Sequence, residues 1–362
     1  MSARGPRDST DPDIAADPAA DVTADVTADI AADIAAAAQL ACLLEVSAPK
    51  PGNVSPGRHF HDTRYEDFLA SAAAIGPAFA RAGQETLGAT ILDAIGATAR
   101  WTRSNTNLGI VLLLAPLAHA AHGACRPNRP AGGRQRQARG RGRGPRPGEP
   151  GSREENEDGG KEDGRDTALA VHVALREELA RVLHSTTVRD AADVYEAIRI
   201  ARPAGLGKVE NQDVASSPSI ALREAMALAA ERDGIAREYV TDFATTFEIG
   251  APALARARRD GLSWDNAVLE CYLTLLTAAS DTHIERKLGR AAAVDVSESA
   301  RLALASGGVR TARGRDSIAL LDRQLRDERN SRNPGTTADL TAAAIYVVLL
   351  EEALKPSPDG NH

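Results

Sequence analysis

Apolar positions along the chain recur at helical period, and no stretch alternates in the manner of a half-buried strand. From Ala31 the pattern runs through Ile34, Leu40, Leu43, Leu44 and Val46 until Pro49 and Pro51 stop it, and a polar loop over 49–64 follows. The spacing next predicts helices over 65–82, interrupted near Gly76 and Pro77, over 85–103 and over 106–121. Periodicity resumes at 167–184 and 188–202, where Thr187 and Asp190 have the spacing of a capping box. A polar, glycine-rich loop covers 203–217. Further helices are predicted over 218–232, 235–249, 252–260, 264–280, 282–292, 296–305, 315–329 and 337–354. Nothing reads as a strand-turn-helix unit, which argues against Rossmann and P-loop sites. The expected fold class is all-α, a single multi-helix bundle domain made of 29–121 and 167–355.

Two segments depart from this pattern. Asp13, Asp17, Asp21, Asp25, Asp29 and Asp33 recur every four residues. On a helix such like-charge pairs repel by about 0.2 to 0.5 kcal/mol each. The expectation is a disordered acidic tail over 1–28, with the last aspartates at the positive end of the first helix. Over 122–166 the composition turns to Arg, Gly, Pro and Glu, and too little apolar area is present to offset the entropy of ordering. This segment is expected to be a disordered insertion. No aromatic residue interleaves its arginines, so an RGG-like RNA-binding role has little support.

Alanine dominates the 43% apolar fraction and aromatics make up only 3%, which favours close helix packing over sheet. The net charge of -7 conceals an asymmetry: 122–166 holds 11 basic and 8 acidic residues, so the remainder carries the whole acidic excess. That balance argues against a general nucleic-acid binder. Cys42, Cys125 and Cys271 are isolated, which suggests neither a zinc site nor a disulfide framework and fits a reducing cytoplasm. The first residues lack a basic start with an apolar centre, and the stretch from Leu108 to Ala121 is shorter than the roughly 20 residues that span a bilayer. A soluble cytoplasmic protein without a membrane partner is expected.

Four polar segments interrupt the helices. Glu45 to Asn53 reads E-V-S-A-P-K-P-G-N: two prolines fix the backbone, Gly52 permits close approach to a ligand, and Lys50 and Asn53 are candidates to meet phosphate oxygens. The alternative is a helix-stopping turn with a solvated lysine. His59 and His61 lack a third metal ligand and read as loop histidines. In S-N-T-N-L-G, Ser104 to Gly109, Asn105 or Thr106 caps the next helix and leaves Asn107 with free N–H groups for an anion; capping alone is the alternative. Gly205 and Gly207 beside Lys208, followed by Asp213, allow phosphate approach but form no Walker motif. The last constellation joins Asp281, Glu285, Arg286 and Lys287 to Asn333, Gly335, Thr336 and Asp339, hard oxygen donors of a kind that suits Mg²⁺ bridging to phosphates; for Glu285 with Arg286 a solvated ion-pair face is the alternative.

Taken in order, E-V-S-A-P-K-P-G-N-V from Glu45, D-T-R-Y-E-D-F-L-A-S from Asp62, N-T-N-L-G-I-V-L-L-L-A-P-L from Asn105, A-G-L-G-K-V from Ala204 with Q-D-V from Gln212, E-R-D from Glu231, D-T-H-I-E-R-K from Asp281 and N-P-G-T-T-A-D-L from Asn333 resemble the triphosphoribosyl-dephospho-CoA synthase family. The resemblance covers roughly 40–121 and 167–350. It implies an all-helical transferase that joins ATP to 3'-dephospho-CoA or a related acceptor and releases adenine, by displacement at the ribose anomeric carbon through an oxocarbenium-like state. In that scheme Glu45 or Asp62 orients the attacking hydroxyl, and Asp213, Asp281 and Asp339 hold Mg²⁺. Lys50, Lys208, Arg286 and Lys287 meet phosphates, while Asn53, Asn105, Asn107, Asn333 and Thr336 complete the substrate contacts. Glu285 stands where the family pattern varies and is not counted. A metal-dependent hydrolase of a nucleotide N-glycosidic or phosphate bond and a non-catalytic nucleotide-binding helical protein are the competing readings.

Overall fold

The computed structural model describes residues 18–125, 159–203 and 212–355, with side chains from residue 28 in the first segment and from 169 in the second. Among the described residues there are fourteen α-helices: α1 (Pro18–Ser47), α2 (Tyr65–Ala80), α3 (Leu87–Thr98), α4 (Leu108–Ala124), α5 (Gly159–His184), α6 (Val188–Ala201), α7 (Leu222–Ala227), α8 (Gly234–Val240), α9 (Ala251–Arg259), α10 (Trp264–Ala278), α11 (Thr282–Leu288), α12 (Arg290–Ala305), α13 (Ala312–Leu325) and α14 (Gly335–Ala353). A π-helical turn, Thr246–Gly250, leads into α9, and a 3-10 turn, Gly308–Arg310, precedes α13. Among the described residues the one β feature is an isolated bridge between Ser55 and Arg58. The all-α expectation holds.

Helices α4 and α14 are apolar on every side and therefore lie at the centre, in contact with each other and enclosed by α1, α5, α9 and α10. Alanines on α1 and α14 let these helices approach closely, and Tyr346 on α14 reaches across to donate a hydrogen bond to the Ile34 carbonyl at 3.1 Å. A second apolar cluster joins the outer face of α10 to α11, α12 and α13 through Tyr272, Leu276, Ile284, Val296 and Leu321. Part of α1, Ala28–Ser47, is long and apolar enough to cross a membrane, but Ile34, Ala38 and Ala41 on it belong to the main core.

Both central proline sites are repaired by side chains from other helices. Pro77 lies inside α2, where an interruption is expected, yet the helix runs through. Proline has no N–H for the carbonyl four residues back, and Gln39 Nε2 donates to that carbonyl, Ala73 O, at 3.0 Å. Pro116 inside α4 orphans the carbonyl of Leu112 in the same way, and the buried Tyr239 hydroxyl donates to it at 2.6 Å. Tertiary packing supplies what the local sequence withholds.

Other boundaries move for identifiable reasons. Helix α1 begins at Pro18, inside the segment expected to be disordered, because its packed half already bears the nucleation cost and alanine propagates helix well. Residues 1–17 and 126–158, which hold the rest of the expected tail and insertion, lie outside the described residues; α4 and α5 extend into the two ends of the 122–166 segment. The helix expected over 235–249 is broken after α8, where Asp242 and Phe243 adopt left-handed backbone at φ 49 and 57. The break expected near 293–295 falls instead at Gly289, whose φ of 86 is natural only for glycine. The capping box at Thr187 and Asp190 forms: the Thr187 hydroxyl accepts from Asp190 N at 3.2 Å and Asp190 Oδ2 accepts from Thr187 N at 2.8 Å.

Replacing Tyr239 by Phe leaves the Leu112 carbonyl buried and unpaired, at a cost of about 1 to 3 kcal/mol. Urea unfolding checks this, and Pro116→Ala in the same background, which restores the missing N–H, is expected to recover much of the loss.

Candidate active site

The polar ends of several helices meet at one place because a small set of side chains ties them together. Asp281 precedes α11; its Oδ1 accepts from His283 N at 2.9 Å and Ile284 N at 3.1 Å. Its Oδ2 accepts from Thr337 N and Thr337 Oγ1, each at 2.7 Å, and so carries α14. Next to it, Thr282 Oγ1 accepts from Gly234 N at 3.0 Å and pairs with Thr336 Oγ1 at 3.0 Å, which adds α8. Asp233 caps α8 through Ile235 N at 2.9 Å and Ala236 N at 3.1 Å, and its other oxygen takes Arg286 of α11.

These ends frame a cavity of about 320 Å³. Its polar wall includes Glu45 from the last turn of α1, Asn105 and Asn107 at the start of α4, Asp233, His283 and Arg286, and Asn333, Thr336 and Asp339. An apolar part of the wall is formed by α6, α7 and the segment between them through Val194, Ile198, Val214, Leu222 and Met226. Asn107 is buried and donates to Thr98 Oγ1 at 3.1 Å, and Asn105 Oδ1 accepts from Leu108 N at 3.1 Å; the N-cap position falls at Asn107, not at the expected Asn105 or Thr106, and its side chain makes no capping bond. Asn333 Oδ1 is buried with no partner among the described residues.

Asp339 is the exceptional acid. No hydrogen bond or ion pair holds its carboxylate among the described residues, and it stands on α14 against the first turn of α4. A Cβ at Gly109 would come within 2.0 Å of Asp339 Oδ2, so glycine leaves the space that this carboxylate occupies. Burial, then the negative charges of Glu45, Asp281 and Asp233, push its carboxyl well above the usual carboxylate range, with Arg286 opposing them. Asp281 is also raised by burial, but its four hydrogen bonds pull the other way. His283 is kept neutral: burial, Lys287 and Arg286 lower it to about 3.

Of the residues singled out in the sequence, Glu45, Asn53, Asn105, Asn107, Asp213, Arg286, Asn333, Thr336 and Asp339 come together in the cavity lining. Lys50 does not. It is fully buried behind the wall, paired with Glu45 Oε1 at 3.0 Å and bonded to the carbonyls of Glu45 and of Ala48, the latter at 3.3 Å, so its role is to hold Glu45 rather than to reach a phosphate. Gly52 serves packing, not ligand approach: a Cβ there would lie 2.8 Å from that of Leu325, and its N–H donates to Asp322 at 2.9 Å. Asn53 lines the cavity but spends its amide on Tyr272 at 3.0 Å. Asp62 is exposed outside the lining, and Lys287 lies outside it too, with Asp327 and Asp62 among its neighbouring charges. Lys208 lies outside the described residues.

The three acids assigned to a metal do not gather into one cluster. No group of three His, Cys, Asp or Glu side chains with metal-binding geometry occurs among the described residues. Asp281 is a poor ligand because four donors already occupy its oxygens. Asp213 lines the cavity and accepts from Ala215 N at 2.8 Å. Asp339 fits: it offers free hard oxygens, and Mg²⁺ commonly takes only one or two carboxylates beside substrate phosphates. Asp233, His283 and Phe68 line the cavity but were left unassigned by sequence reasoning, although all three stand inside quoted motifs; Phe60 and Tyr195 stand outside them.

Residues 31–358 match the model of the CitG family, ATP:dephospho-CoA triphosphoribosyl transferase. The chain belongs to this family. Among curated relatives of the transferase, a Pseudomonas paraeruginosa protein named "Probable 2-(5''-triphosphoribosyl)-3'-dephosphocoenzyme-A synthase" is 36% identical over 105 residues, 29% of this chain and 35% of that protein. One from Pseudomonas savastanoi with the same name is 29% identical over 177 residues, 48% of this chain and 58% of that protein. The match with the first of these thus spans about a third of the relative's length. A solved structure described as "Crystal structure of putative triphosphoribosyl-dephospho-coA synthase from Archaeoglobus fulgidus" superposes with a TM-score of 0.51 at 29% identity, covering 78% of this chain and 98% of that one.

A carboxyl raised in the folded state binds its proton more tightly there than in the unfolded chain. Stability therefore falls as pH climbs from the unfolded value toward the folded one. In the metal- and nucleotide-free protein, Asp339→Asn removes that penalty and is expected to raise the melting temperature, by an increment that grows from pH 5 to pH 8. Thermal unfolding across that range measures it, and an unchanged or lowered melting temperature contradicts the assignment.

Proposed function

We propose that this chain transfers the 5'-triphosphoribosyl group of ATP to a hydroxyl of a dephospho-CoA-like acceptor and releases adenine. The observation that carries the reading is the unpartnered Asp339 carboxylate, held in a cavity with Arg286, several amides and a partly apolar wall. Such a cavity suits a ligand that is part polyanion and part flat or flexible apolar group.

In the reaction the acceptor oxygen forms a bond to the ribose anomeric carbon, the bond from that carbon to adenine breaks, and the hydroxyl proton is balanced by the proton adenine acquires on leaving. Glu45 is the acid placed to engage the attacking hydroxyl, since it faces the cavity and Lys50 fixes its carboxylate from behind; the exposed Asp62 is not. Arg286, oriented by Asp233, and Arg232 at the rim meet phosphate oxygens. Asn105, Asn333 and Thr336 offer polar contacts to sugar or base, and the walls from α6 and α7 exclude water around the departing purine. Asp339 would hold Mg²⁺, which when bound neutralises the triphosphate. Free Cys42, Cys125 and Cys271 accord with a reducing compartment, and we place the reaction in the cytoplasm.

Mass spectrometry of a mixture of the protein, ATP, Mg²⁺ and dephospho-CoA tests the reading. Free adenine together with an acceptor heavier by a triphosphoribosyl group is expected, with both signals lost on adding EDTA and regained with excess Mg²⁺. Adenine without the adduct indicates hydrolysis, and neither product contradicts the transferase.

A further inference from the structure

His283 does not figure in that scheme, yet its surroundings fix its chemistry. Arg286 Nη2 approaches His283 Nδ1 at 3.4 Å. A guanidinium has donors and no acceptor, so Nδ1 must accept, and the proton of the neutral ring sits on Nε2. Arg286 in turn is anchored by Asp233, which makes a relay of carboxylate, guanidinium and imidazole that sets the tautomer within the cavity wall. The ring is held in place as well. Its backbone N–H is tied to Asp281 at 2.9 Å, and its face lies so close to Gly335 that a Cβ there would stand 3.3 Å from the ring Cγ. Nε2 meets no partner among the described residues and is not sealed from the cavity that His283 lines.

Nε2–H adds an oriented donor to a wall rich in acidic groups. Glu45, Asp233 and Asp339 supply acceptors, and Arg286 has already committed N–H groups to Asp233 and His283. Purine nitrogens and phosphate and ribose oxygens are acceptors that need donors.

We propose that His283 binds the purine nucleotide as a neutral hydrogen-bond donor, through Nε2–H to an acceptor atom of ATP. This rests on the reading that ATP occupies the cavity. Arg286 and Lys287 flank the ring, and with its burial they keep it uncharged, so it acts as a donor and not as an acid.

Two measurements test it. Calorimetric titration with ATP compares the wild type with His283→Leu, which removes the donor, and His283→Gln, which keeps one. Losing one neutral hydrogen bond is expected to weaken ATP binding in the Leu variant by about 3- to 10-fold, with the Gln variant within about threefold of wild type. Equal damage in both variants would indicate a merely structural ring, and unchanged affinity in the Leu variant would leave the donor without a role; either result overturns the proposal. Nitrogen-resolved NMR of the wild-type imidazole, which needs no variant to fold, is expected to show the Nε2–H tautomer and a shift of that nitrogen on adding ATP; the Nδ1–H tautomer or an unmoved signal refutes it. Wild-type protein that binds ATP with this signature but never releases adenine sinks the transferase reading while leaving His283 as a nucleotide ligand.

Discussion

One buried carboxylate holds the polar half of this protein together. Asp281 accepts two backbone hydrogen bonds from the start of α11 and two from Thr337 at the start of α14, so neither helix can shift without exposing or orphaning it. A buried charge is tolerable only when donors surround it, and here donors from two helices complete that shell. The consequences spread outward. Fixing α11 places His283 and Arg286, fixing α14 places Thr336 and Asp339, and the neighbouring Thr282 brings in α8 and Asp233. Helix packing alone would bring these elements near one another; the Asp281 links set their register.

Against that satisfied acid, Asp339 is left alone in a wall of like charge, next to Glu45 and Asp233. Evolution of a stable bundle for its own sake would place an amide or an apolar residue there. A carboxylate that costs stability, admitted only because Gly109 leaves room for it, marks a site shaped for a ligand that brings its own counter-charge. Glu45 illustrates the opposite solution: Lys50 is sacrificed as a solvent-facing cation and buried beneath it, where it partners the acid and fixes its orientation at the cavity surface.

The division between what the chain states openly and what it conceals follows from the range of the interactions. Helical period and the box at Thr187 and Asp190 are local, and each is legible from spacing. The continuity of α2 and α4 through Pro77 and Pro116 is not, because the compensating donors, Gln39 and Tyr239, lie 34 and 127 residues from the carbonyls they serve. The same distinction governs the site. Residue type flagged Glu45, Arg286, Asn333 and Asp339, and the order of motifs in the resemblance supplied their convergence. Direction was invisible: nothing local tells Lys50 to turn inward, or tells Asp281 to cap two helices rather than face a metal. Apolar wall residues such as Val194 and Met226 were unreadable for another reason, since in sequence they are indistinguishable from core.

The central claim is that these segments form one nucleotide site around Asp339 and Arg286. The most direct measurement is a crystal structure of the protein with ATP and Mg²⁺ bound. The triphosphate is expected beside Arg286, with the metal on Asp339 and the ribose within reach of Asn105 or Thr336. A nucleotide seated instead on the outer surface near Asp62 and Lys287, with the cavity left empty, would contradict the account.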